Sequence, residues 1–179
     1  MVSLGILFWI FIGIFALIGA IRGSAKEILV TFSVIMAIFT INVLEQHVAA
    51  VQGFLSSNPI TATVTMRSLV LTLLVFFGYQ TPNIPRLAHS ERFARDRMQD
   101  VILGLIVGGV NGYLIFGSYW HFLHVANYAF TIVIPPIAGT PAGDAALAMV
   151  PFLAPNWLVA PVIYYAVALA FIFVLVVFI

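Results

Sequence analysis

The chain has 179 residues, of which 63% are hydrophobic and only 7% are charged, and its formal net charge is +1. Because soluble domains carry about 25% charged residues, this composition excludes a soluble globular domain and indicates an integral membrane protein. The small net charge excludes a general attraction to nucleic acid, and the absence of cysteine excludes disulfides, thiolate metal sites and cysteine nucleophiles.

Five stretches of the chain are long and apolar enough to form transmembrane helices, since a helix needs about 20 mostly apolar residues to cross a bilayer. In chain order, the predicted spans are 2–21, 28–44, 63–79, 101–120 and 157–179. We therefore predict an all-α, polytopic helix bundle that forms a single transmembrane domain over residues 1–179.

The turn after the first span reads GAIRGSAKEIL and carries Arg22 and Lys26. The loop after the third span carries four more basic residues, which are Arg86, Arg92, Arg95 and Arg97. The two loops on the other side, 45–62 and 121–156, contain no Lys or Arg. Since basic loops stay in the cytoplasm, we predict an N-terminus outside and a C-terminus in the cytoplasm.

Arg67 is the basic residue that departs from this charge pattern, because it lies about one turn inside the third span on the outer side. It can extend outward to water or pair with Glu45 across the outer loop. A charge inside a membrane is also a functional candidate.

The fourth span contains Gly104, Gly108 and Gly112 at intervals of four residues, which places them on one helix face. Small residues let transmembrane helices approach closely, so this face is predicted to pack against another helix. The partner is either the first span or another protein; a second pair of spaced glycines near the end of the first span is formed by Gly19 and Gly23. Asn111, in the middle of the fourth span, is expected to hydrogen-bond to a neighbouring helix.

These features, in this order, resemble the colicin V production protein family over roughly residues 1–120. The matching positions are Gly19, Arg22, Gly23, Lys26 and Glu27 in the turn, then Asp100, Gly104, Gly108 and Gly112. The resemblance implies a small multi-pass protein of the bacterial cytoplasmic (inner) membrane, linked to toxin production or export and to envelope function. The chain departs from the family in its long apolar outer segment.

The charges around the first turn suggest a contact at the membrane boundary. Asp100 begins the glycine-rich span on the same side as Arg22 and Lys26. We predict that Asp100 pairs with one of these two cations and holds the first hairpin against the fourth span. The alternative is that each charge reaches water on its own.

The outer segment between the fourth and fifth spans is too long for a tight turn and too apolar for a solvated loop. Thr140 can cap a helix, Pro141 suits its first position, and Asp144 suits its positive end. We predict a short interfacial helix from about Pro141 to Val150, ended by Pro151. The segment is either a loop folded on the outer surface or a docking surface for a partner.

His121 and His124 are three residues apart, a spacing that can place two imidazoles on one helix face to ligate a metal, haem or pigment. No carboxylate or cysteine accompanies them, and histidines beside aromatic residues are usually interfacial anchors. We therefore predict no metal and no cofactor, expect bound lipid, and keep pigment or haem contact as an alternative.

No nucleophile elbow, metal-binding motif or phosphate-binding loop is present in the sequence. The sequence therefore predicts a non-enzymatic structural or accessory subunit that packs against other membrane proteins, or against itself, and against lipid. A respiratory or photosynthetic electron-transfer complex is one host that such a subunit could have. The alternative function is a component of a channel, export or transport system, with Arg67 and Asn111 lining its path.

Overall fold

The computed structural model describes residues 3–80, 97–130 and 133–178, and these parts of the chain contain helices and no β-strand. The α-helices are numbered here in chain order. They are α1 (Leu4–Arg22), α2 (Ser24–His47), α3 (Ala49–Ser57), α4 (Ile60–Tyr79), α5 (Arg97–Val125), α6 (Pro141–Met149), α7 (Ala154–Trp157) and α8 (Val162–Phe178). A 3₁₀ turn, Val150–Phe152, joins α6 to α7.

Four of the described helices, α1, α2, α4 and α5, are long and apolar enough to cross a membrane. The count becomes five if the segments Pro141–Trp157 and Val162–Phe173, which meet at an angle of 59°, form one broken span. The all-α prediction is therefore confirmed, and the five predicted spans compare with four spanning helices, or five if the bent pair is one span. The predicted fifth span differs from the structure, because its straight helix begins at Val162 rather than Trp157.

A single residue, Gly23, separates α1 from α2. Its φ angle of 87° is one that L-residues with a side chain rarely adopt, so glycine allows α2 to begin at once. This is why α2 starts at Ser24, earlier than the predicted position 28, and extends to His47.

Helix α5 occupies the centre of the bundle and packs against α1 on one side and α2 on the other. Helix α2 also packs against α4 and α8. Beyond its first turn, its buried face consists of apolar residues at helical spacing, which are Val30, Val34, Ala37, Ile38 and Ile41. A second apolar cluster, with Phe8, Trp120, Ala146 and Leu153, joins α1 and α5 to α6 and the chain that follows it.

Three short helices, α3, α6 and most of α7, lie in the segments that the sequence assigned to outer loops. Helix α3 occupies part of the predicted loop 45–62. Helix α6 begins as predicted: Pro141 is its first residue, and the Thr140 hydroxyl accepts a hydrogen bond of 3.1 Å from the Gly143 amide. Its position at the membrane interface stays a prediction.

The bundle has two ends that carry different polar groups. The end with the α1–α2 turn, called the turn end, holds Arg22 and Asp100. The opposite end holds Glu45, Arg67 and His121. The loop with Arg86, Arg92 and Arg95 lies outside the described residues, so the orientation of the bundle across the membrane stays a prediction.

Candidate functional site

The predicted glycine face brings α1 and α5 into backbone contact. A methyl group placed on Gly19 would lie 2.7 Å from the Cα of Gly108, and one placed on Gly108 would lie 2.9 Å from the Cα of Gly19. A methyl group on Gly104 would collide with the Gly19 carbonyl oxygen. The partner of this face is therefore the chain's own first span, one of the two alternatives left open by the sequence.

The same interface continues along the two helices as an aromatic contact. A methyl group on Gly112 would lie 2.8 Å from the Cβ of Phe15. Beyond this point, Phe11 and Phe116 stack with ring centroids 4.5 Å apart, and Phe8 meets Trp120 edge-on at 5.6 Å. Glycines thus allow close approach in one half of the interface, and rings fill the wider half.

A carboxylate, Glu27, is completely buried between α2 and α5, and Asn111 is its main partner. The Asn111 amide nitrogen donates to the Glu27 carboxylate over 2.8 Å and to the Glu27 carbonyl oxygen over 2.9 Å. The Thr31 hydroxyl donates to the Asn111 side-chain oxygen over 2.7 Å. The structure thus places Asn111 in a hydrogen-bond network between helices, and every polar atom of its side chain is used.

Arg22, at the end of α1, contacts the first turn of α2 and the end of α4 at the edge of this network. Its Nε atom lies 3.3 Å from Glu27 Oε1, but no hydrogen bond reaches that oxygen, so the contact is one of charge alone. Its Nη2 atom donates to the Tyr79 carbonyl oxygen over 3.3 Å, and the guanidinium lies 4.3 Å from the centre of the Tyr79 ring. Arg22 thus holds the end of α4 against the first turn of α2.

The predicted ion pair between Asp100 and Arg22 or Lys26 does not form. Asp100 Oδ1 instead accepts hydrogen bonds from the Ser24 amide over 3.0 Å and from the Ser24 hydroxyl over 2.7 Å. The free amides at the start of α2 compete for the carboxylate, Arg22 faces Glu27, and Lys26 is exposed. Asp100 does join the hairpin to α5, but as a helix cap contributed from another helix.

At the opposite end, Arg67 pairs with Glu45, which confirms the second of the two interpretations given for this arginine. The pair is bidentate, with Nε–Oε1 at 2.6 Å and Nη2–Oε2 at 2.9 Å. It lines a cavity of about 270 Å³, called here the Arg67 cavity, together with Asn42, His121 and Asn156. Two opposite charges, an imidazole and two amides thus surround one space.

His121 and His124 have different surroundings in the structure. The Nδ1 atom of His121 is buried and has no hydrogen-bond partner. The Nδ1 atom of His124 lies 3.2 Å from the Tyr128 hydroxyl, to which Trp120 also donates over 3.1 Å. Burial raises the pKa of the Tyr128 phenol, so this hydroxyl stays protonated at neutral pH. Among the described residues, no group of three or more His, Cys, Asp or Glu side chains could hold a metal.

Neither the burial of Glu27 nor the role of Tyr79 was predicted from the sequence. The sequence places Glu27 in the turn after the first span, whereas the structure places it in the first turn of α2. One signal was available, because Glu27 and Thr31 are four residues apart and so share a face of an otherwise apolar helix. No comparable signal identifies Tyr79, whose contact with Arg22 depends on how α4 packs.

No protein-family model, curated protein or solved structure matches this chain. The resemblance to the colicin V production protein family therefore depends on the residues of the turn and of the glycine-rich helix alone.

Proposed function

We propose that this chain is a multi-pass protein of the bacterial cytoplasmic membrane that acts, without catalysis, as a structural or accessory subunit. It would pack its outer helices against other integral membrane proteins or against a second copy of itself. The resemblance to the colicin V production protein family supports this proposal, and links it to the cell envelope and to toxin production or export.

The observation that carries the proposal is the uneven burial of the spanning helices. Only 11% of the apolar stretch of α1 and 17% of that of α4 is buried inside the chain, against 44% for α5. The outward face of α1 carries large side chains that the chain leaves uncovered, among them Trp9, Ile10 and Leu17. Lipid or partner helices have to cover these faces, and a partner helix in a complex would bury the apolar surface that the chain itself leaves open.

A pull-down in mild detergent tests the proposal. The chain is tagged at its N-terminus, and the purified band is analysed by native gel, mass spectrometry and absorbance. We expect a stable hetero-complex that contains other membrane proteins; coloured cofactors in the band would identify a respiratory or photosynthetic host. A homo-oligomer without other proteins would select self-association, and a particle with a single copy of this chain and no other protein would contradict the proposal.

The proposed orientation has the N-terminus outside and the C-terminus in the cytoplasm. The bias of basic residues supports it, since Arg67 is the one basic residue that does not belong to the turn end or to the loop before α5. The placement of α6 at the outer membrane interface belongs to the same proposal.

The alternative function is a component of a channel, export or transport system. The Arg67 cavity favours this alternative, because it gathers charged and polar side chains inside a spanning bundle. Asn111 does not support it, because its side chain is fully used by Glu27 and Thr31. Flux through the purified protein in liposomes would separate the two functions. Solute or ion flux would favour transport, and vesicles that do not leak would exclude transport by this chain without a partner.

A further inference from the structure

The Arg67 cavity contains polar groups whose hydrogen-bonding capacity the chain does not fill. A guanidinium has five N–H groups, and Arg67 uses two of them on Glu45. The Glu45 carboxylate keeps further acceptor positions, and both side chains of the pair stay partly exposed. Unfilled polar groups are costly inside a membrane, so the cavity favours an occupant with both donors and acceptors.

The charge in the cavity limits what this occupant can be. Arg67 and Glu45 have opposite charges and neutralise each other, so an occupant with a net charge would leave one of them opposed by a like charge. An occupant that carries an anionic and a cationic group of its own matches both. Its cation needs N–H donors, because the free positions on Glu45 are acceptors.

An apolar groove also lies along α2. It has a volume of about 580 Å³ and runs between α2 and α8, where it is lined by Phe32, Met36, Phe39, Tyr164, Val167 and Phe171, among others. Phe39 lines the groove and Asn42 lines the cavity. These two residues are three apart, which is about 4.5 Å along the helix, so the groove and the cavity use residues of α2 within one turn of each other.

We propose that this chain binds one zwitterionic phospholipid whose head group carries a primary ammonium, as an ethanolamine head group does. The phosphate accepts hydrogen bonds from the free N–H groups of Arg67. The ammonium donates to Glu45, and one acyl chain lies in the groove between α2 and α8. This site is independent of the proposed function, because it needs neither a partner protein nor transport.

Lipid selectivity tests the proposal on the full chain. The protein is delipidated in mild detergent and titrated with phosphatidylethanolamine, phosphatidylcholine and phosphatidylglycerol of identical acyl chains, with native mass spectrometry and thermal stability as readouts. We expect one retained phosphatidylethanolamine per chain and a higher melting temperature with this lipid. Choline lacks N–H donors, and the glycerol head group leaves a net negative charge beside Glu45, so both should bind less tightly.

Two variants address the two halves of the site separately. The double variant Glu45→Gln and Arg67→Gln removes both charges at once, and we expect it to bind phosphatidylethanolamine at least about tenfold more weakly, since hydrogen bonds to charged groups are lost. Ala168→Phe fills the groove and leaves the charged pair intact, and we expect a similar loss. The matched controls are Lys26→Gln at the turn end and Ala148→Phe on α6. Both positions are exposed, and both variants should bind phosphatidylethanolamine normally.

Equal retention of the three lipids would overturn the proposal, because it would show adventitious lipid binding only. Normal selectivity in both the Glu45→Gln, Arg67→Gln double variant and Ala168→Phe would overturn it as well. If the double variant fails to fold, Ala168→Phe decides alone: unchanged binding of phosphatidylethanolamine would exclude the groove, and selective loss would support it.

Discussion

At the scale of single residues, this chain places its few charges in contacts that satisfy them inside the bundle. Glu27 is held by Asn111 and faces Arg22, and Arg67 is held by Glu45. A charged group in a membrane is tolerated when its partner comes with it, so each pair also selects which helices can be neighbours. Glu27 on α2 favours α5 and the end of α1 as neighbours of that helix, and Glu45 on α2 favours α4.

Replacing Asn111 tests whether the buried network stabilises the bundle. Asn111→Leu removes the donors to the Glu27 carboxylate, and we expect a lower melting temperature in detergent. A double-mutant cycle with Glu27→Leu, which removes the accepting oxygens, should give a coupling energy of about 1–2 kcal/mol, near the upper end for hydrogen bonds between membrane helices. Asn58→Leu, at an exposed position, is the control and should have little effect. A coupling energy near zero would show that the two side chains stabilise the fold independently.

Two substitutions of Asp100 distinguish a helix cap from an ion pair. Asp100→Asn keeps the oxygen that accepts from Ser24, so we expect nearly unchanged thermal stability. Asp100→Ala removes this oxygen and should cost about 1 kcal/mol, as the loss of a cap usually does. If Asp100→Asn destabilised the protein as much as Asp100→Ala, the negative charge would matter and the cap interpretation would fail.

At the scale of helices, α1 and α5 form the closest pair in the bundle, and glycine is the reason. The Cα atoms of Gly19 and Gly108 approach so closely that no side chain fits between the two backbones. In lipid there is little hydrophobic force between helices, so contact of this kind provides much of the attraction. Because α5 also packs against α2, this contact fixes α1 relative to the centre of the bundle.

A pair of glycine substitutions tests this contact. Gly108→Leu would force the helices apart and should cost about 2 kcal/mol or more, measured as a lower melting temperature and a lower yield of folded protein. Gly13→Leu, on α1 at a position with no neighbouring atom within 4 Å, should leave both quantities unchanged. Equal tolerance of the two substitutions would show that α1 and α5 do not pack through this face in the membrane.

At the scale of the whole molecule, the polar groups of the described residues concentrate at the two ends of the bundle. The turn end carries Arg22, Ser24 and Asp100, and the opposite end carries the Arg67 cavity. Glu27 and Glu45 belong to the two groups and lie on the same helix, α2. Their separation along this helix is about 27 Å at 1.5 Å per residue, which is close to the thickness of a bilayer core. The bundle therefore has the polarity expected of a protein that spans a membrane.

The orientation of the bundle can be measured by labelling single cysteines, because the natural chain contains none. Ser56→Cys lies on α3 at one end of the bundle, and Gln99→Cys lies on the first turn of α5 at the other. With an impermeant maleimide on intact bacterial cells, we expect labelling at Ser56→Cys and, at Gln99→Cys, labelling only after permeabilisation. The reverse pattern would invert the proposed topology.

Composition and local chemistry were sufficient to predict an all-helical membrane protein, the approximate position of its spans and the cap of α6. Helical spacing also predicts the glycine face, and the cost of an unpaired charge in lipid made Glu45 one of two alternatives for Arg67, the other being water. Tertiary packing accounts for the burial of Glu27 against Asn111, for the cap that Asp100 gives to α2 and for the gathering of Arg67, Glu45 and His121 around one cavity. These contacts join residues distant in the chain, so they depend on how the helices pack and have no local pattern.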